Sequence, residues 1–83
     1  MSEIRVLGVL VSEKSQAAVE VQKTLTKYGC SIKTRLGLNN LDKDGCDSCG
    51  LIILELTGDT NECIRLENEL FSLHGVRVQK MVF

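Results

Sequence analysis

The chain has 83 residues, ten basic and eleven acidic, for a net charge of −1; that length builds one small domain, residues 1–83, with a modest core. No block of like charge marks a nucleic-acid or membrane-surface footprint, and tryptophan is absent with aromatics at only 4%, which removes the stacking platforms of single-strand binders. An apolar fraction of 43% and a charged fraction of 25% fit an ordinary globular protein, and no apolar run approaches the ~18 residues of a membrane span.

Residues 4–11 (IRVLGVLV) are β-branched and apolar, broken only by Arg5 and Gly8, and predict a central strand. Ser12 and Ser15 then offer helix caps, and Ala17, Ala18, Val21, Leu25 and Tyr28 recur at helical spacing up to a closing Gly29. Residues 30–38 (CSIKTRLGL) alternate: Ile32, Thr34, Leu36 and Leu38 are expected on one face, Lys33, Arg35 and Gly37 on the other, as in an edge strand. Residues 39–49 (NNLDKDGCDSC) form a turn-rich loop, long enough to carry function.

The most apolar stretch follows at residues 51–57, the expected third strand. Asp59 with Glu62 reads as a capping-box variant that starts a second helix. That helix presents Cys63, Leu66, Leu70 and Leu73, with Ile64 and Phe71 widening the stripe, and His74 with Gly75 closes it. In the last strand, 76–83, Val76, Val78, Lys80 and Val82 share one face while Met81 and Phe83 lie on the other.

The order strand–helix–strand–strand–helix–strand predicts an α+β, ferredoxin-like βαββαβ fold: a four-stranded antiparallel sheet with two helices on one face. Strands one and three are the most apolar, as that topology requires of its central strands. The other sheet face is left open, and Leu7, Val9, Ile53, Met81 and Phe83 are too many apolar side chains to point at the helices together. These five are the expected interface of a homodimer or higher homo-oligomer.

Chemistry is sparse. Cys46 and Cys49 form a C-x-x-C pair, which supplies half of a four-thiolate metal site or a redox disulfide. With one histidine, His74, no Ser/His/Asp or Cys/His set assembles, and no glycine-rich phosphate cradle is present. The expectation is therefore no enzyme and no cofactor, with a metal ion at Cys46 and Cys49 as the alternative. Glu3 and Arg5 interrupt the first apolar stretch and no leader pattern precedes it, so the expected location is cytoplasmic and the thiols reduced.

Three stretches carry a family resemblance: IKTRLGL at 32–38, GLIILELTGD at 50–59, and LENEL at 66–70 continuing to GVRVQK at 75–80. In length and element order the chain resembles the ACT-like small proteins of the iron-only hydrogenase system regulator family. The resemblance implies an ACT-like, oligomeric regulatory domain that senses a small ligand such as an amino acid. ACT-type modules commonly hold ligands at subunit interfaces, near the loop after strand one. Carried over by position, that points to Gly8, Ser12, Glu13 and Lys14, with Arg35, Gly37 and Asn39 added from the second-strand motif. A thiol module built on Cys46 and Cys49, and a scaffolding protein without ligand, stay open as alternatives.

Overall fold

The computed structural model describes residues 3–12, 17–39 and 49–83. Its elements follow the expected order: β1 Arg5–Ser12, α1 Ala17–Lys27, a 3-10 turn Gly29–Ser31, β2 Ile32–Asn39, β3 Cys49–Leu56, α2 Thr60–Ser72 and β4 Val76–Val82. The four strands form one antiparallel sheet in the order β2-β3-β1-β4. This is the ferredoxin-like βαββαβ arrangement, and the two most apolar strands are the central ones. Among the described residues no helix is long and apolar enough to cross a membrane.

Both helices lie on one face. Val21 and Leu25 of α1 and Leu66 and Leu70 of α2 pack on sheet residues that include Leu54 and Val78. Asp59 caps α2, its side chain accepting from the Asn61 backbone N–H at 3.0 Å. The reciprocal half of a capping box is not made, because the Glu62 carboxylate pairs instead with Arg65 one turn on. Gly75 takes the left-handed conformation expected of a closing glycine, at φ +81°, and Gly58 does so in the turn before α2. Gly29 does not; it opens the 3-10 turn instead.

Face assignments correct the sequence reading in three places. Leu7 and Val9 are fully buried beneath the helices rather than on the open face. Alternation explains this: Arg5, Leu7, Val9 and Val11 share one side of β1, and Val6, Gly8 and Leu10 the other. The second correction is in β2. Ile32 pairs with Leu56 and Thr34 with the next residue, Glu55, so Lys33 is an extra residue in a β-bulge. The bulge turns Ile32 toward the core while Thr34 and Leu36 go to the open face. Third, Ile64 and Phe71 of α2 are solvent-exposed and do not widen its buried stripe.

Candidate site on the open sheet face

The pairing register fixes what the open face displays. Leu36, Ile53, Gly8 and Gln79 form one row across the four strands, and Thr34, Glu55, Val6 and Met81 the next. Phe83, just past β4, continues the same side, and Leu36, Met81 and Phe83 are 53%, 55% and 75% exposed. Ile53 is half-buried on the same face. Of the five side chains expected at an interface, three therefore lie on this face and two in the core.

At the centre of the sheet the missing side chain of Gly8 leaves a depression of about 320 Å³, lined by Gly8, Leu10, Leu51, Arg77 and Gln79. A Cβ built on Gly8 would sit 3.9 Å from both Gln79 O and Ile53 Cδ1, which is ordinary contact. Arg77 stands at the rim without an ion-pair partner among the described residues.

The described residues among those carried over from the family pattern lie on both sides of the sheet. Gly8 and Ser12 share the open side of β1, while Arg35 and Gly37 sit on the opposite, helix-covered side of β2. Arg35 Nη2 donates to Gln22 Oε1 of α1 at 2.7 Å, so its guanidinium ties the edge strand to a helix. Asn39 pairs with Gly50 at the end of the β2–β3 ladder. Glu13, Lys14 and Cys46 lie outside the described residues, and Cys49 opens β3 opposite Ser12. Arg77, Gln79, Leu10 and Leu51 were missed by sequence reasoning. The signal was the alternation of β4, where polar Arg77 and Gln79 separate valines that face the core.

A second cavity of about 240 Å³ lies at the other end of the sheet, between the start of β1, the end of β3 and α2. Its charges are already matched: Arg5 Nε donates to Glu3 Oε1 at 3.0 Å, and Lys33 Nζ stands 3.8 Å from Glu55 Oε2. The Cys63 thiol donates to the Thr57 carbonyl at 3.3 Å, and burial pushes its pKa up. Between the helices, Lys27 Nζ donates to Glu69 Oε1 at 3.2 Å. Among the described residues, no group of three or more His, Cys, Asp and Glu side chains could hold a metal ion.

No family model and no curated protein matches the chain. Solved structures do. An uncharacterized protein from Thermotoga maritima superposes with a TM-score of 0.75 at 19% identity, covering 99% of each chain. The ACT domain from GTP pyrophosphokinase of Chlorobium tepidum gives 0.68 at 13% identity, covering 96% of this chain and 100% of that domain. The PII-like protein CPII of Thiomonas intermedia K12, bound to ADP, AMP and acetate, gives 0.60 at 16% identity, covering 98% and 88%. At these identities the likeness is one of fold: this chain has the ACT-like and PII-like form of the ferredoxin-like fold.

Proposed function

We propose that the chain is a small, cytoplasmic regulatory domain of ACT-like type that senses a small molecule and works as a homo-oligomer. The sequence resemblance adds a setting, regulation of the iron-only hydrogenase system. The observation that carries the reading is the open sheet face, where Leu36, Ile53, Met81 and Phe83 share one side of the sheet with a depression at Gly8 and Leu10. Burying a leucine, methionine or phenylalanine side chain contributes about 1.5–3 kcal/mol. A second copy laid over this face therefore supplies the stabilisation that so small a core lacks. The same contact would enclose the depression and couple its occupancy to assembly. The solved relatives support a sensing role to the extent that CPII was captured with ADP, AMP and acetate.

Size-exclusion chromatography with light scattering at micromolar concentration tests the assembly. The expected result is a dimer or larger oligomer that Met81→Lys and Leu36→Lys convert to monomer with the helical and strand content unchanged. A strict monomer before mutation would remove the reading's main support. A thermal-shift screen of amino acids, nucleotides and small carboxylates on the same samples tests the sensing part.

A further inference from the structure

We infer that the Gly8 depression is a binding site for an apolar monocarboxylate, held through Arg77. The inference rests on the ligand-sensing part of the reading above and names the class of molecule sensed.

Three observations converge. The first is Gly8 itself. It lies in a central strand, where glycine weakens the ladder and often marks a bulge, a tight bend or a close approach by a ligand or another backbone, and the register at Gly8 is unbroken on both sides. Its backbone needs no glycine, since its φ is not positive, and its surroundings leave room for a Cβ. The opening that its missing side chain leaves is thus free to serve an occupant. The second is the lining. Leu10 and Leu51 are half-buried walls beside it, so the occupant's body is apolar. A volume of about 320 Å³ exceeds what one or two water molecules fill and suits a molecule of phenylpropanoate size.

The third is charge. Arg77 at the rim has no ion-pair partner among the described residues, and a guanidinium fork matches a carboxylate bidentately. Among the described residues no carboxylate lines the depression. Glu55, one row further along the same face, lies 3.8 Å from Lys33 and accepts from Thr34 at 3.3 Å. Among the described residues an ammonium group would therefore meet no counter-charge, and a nucleotide's several negative charges would meet one cation. A single negative charge on an apolar body satisfies the site; Gln79 offers an amide for one further polar group.

The test is calorimetric titration of the full chain with 3-phenylpropanoate, L-phenylalanine and 3-phenylpropanamide, repeated on Arg77→Met and Gly8→Leu. Arg77 is exposed and Gly8 tolerates a Cβ, so both variants should fold, which circular dichroism checks. The expected order is phenylpropanoate first, with the other two about tenfold or more weaker. Arg77→Met should lose about tenfold to a hundredfold, the worth of a hydrogen bond to a charged group, and Gly8→Leu should abolish binding. Equal affinity for phenylalanine, unchanged affinity in Arg77→Met, or no saturable heat at millimolar phenylpropanoate each overturns the inference. Light scattering on the same samples separates the two readings. An oligomer indifferent to all three compounds overturns this inference and leaves the assembly intact. A monomer that binds phenylpropanoate through Arg77 supports the site and removes the oligomer.

Discussion

Lys80 Nζ lies 3.1 Å from Glu67 Oε2, joining β4 to the buried side of α2. Arg5 Nη1 of β1 approaches the other oxygen of the same carboxylate at 3.6 Å. Glu67 is only 5% exposed, yet it stands on the face that packs on the sheet. Lys80 shares the core side of β4 with its valines, and this carboxylate explains why a lysine is tolerated there. One acid thus offsets two bases from neighbouring strands and fixes how α2 sits across them.

Removing that acid should cost more than removing either base. Glu67→Ala leaves a hole and two cations without their shared partner, but Arg5 keeps Glu3 and Lys80 is half-exposed to water. The expected loss is about 1–3 kcal/mol. Lys80→Met should lose less than about 1 kcal/mol, as partly exposed ion pairs do. Urea denaturation of the two variants measures both, and equal losses would contradict the central role of Glu67.

Leu7 and Leu36 separate the two faces energetically. Leu7 is fully buried under the helices, whereas Leu36 is 53% exposed on the open face. Leu7→Ala should cost about 2–5 kcal/mol of unfolding free energy. Leu36→Ala should leave the intrinsic stability of the chain within about 0.5 kcal/mol and act instead on assembly. Chemical denaturation across a range of protein concentrations distinguishes them, since only the Leu36 effect should vary with concentration.

The same two residues show what the sequence made legible. Element order, the central place of β1 and β3, and the Asp59 cap follow from hydrophobic period and turn chemistry, which are local. The surplus of apolar residues in the first, third and last strands also pointed to an apolar open face. Assigning Leu7 and Val9 to that face failed because both sides of β1 are apolar, so alternation alone gives no sign of which side meets the helices. In β2 the alternation was clear, but a single bulge residue, Lys33, turned Ile32 to the opposite side from Leu36. The depression was hidden for a related reason. It is made of residues from β1, β3 and β4 that only the strand register brings together.

Tyr28 and Glu69 link the end of α1 to α2 and predict a pH dependence. The nearby Tyr28 hydroxyl, with Lys27 contributing, holds the Glu69 carboxyl below its ordinary value of 4.5, although Glu69 Oε2 has no hydrogen-bond partner among the described residues and Oε1 accepts from Lys27 Nζ at 3.2 Å. The Glu69 carboxylate in turn raises Tyr28 above its ordinary 10.0. A lowered acid stabilises the fold above its unfolded value and loses that contribution as pH falls through the folded one. A raised tyrosine contributes below 10.0 and loses the contribution as pH rises through its folded value. Tyr28→Phe should therefore lower Tm by a constant amount across neutral pH, with the difference from the natural sequence closing in acid below 4.5. Thermal melts from pH 3 upward test this, and a gap that persists in acid would count against this coupling.

Cys30 and Cys63 should differ in reactivity. The thiolate is the reacting species, so burial acts twice on Cys63, by excluding reagent and by raising its pKa above the ordinary 9.0. Its thiol also donates to the Thr57 carbonyl at 3.3 Å, where the chain turns into α2. Cys30, in the 3-10 turn, is exposed. In native buffer at pH 8, iodoacetamide followed by peptide mass spectrometry should modify Cys30 first. Cys63 should be modified only at the rate at which α2 opens from the sheet, and that rate should rise with urea while that of Cys30 stays flat. Because the folded thiol is raised, the stability it contributes is complete below 9.0 and is lost as pH climbs through the folded value. Labelling of Cys63 should therefore accelerate above pH 9 more steeply than thiolate formation at an exposed cysteine requires. Equal labelling rates for Cys30 and Cys63 in the folded protein would falsify the burial of this thiol.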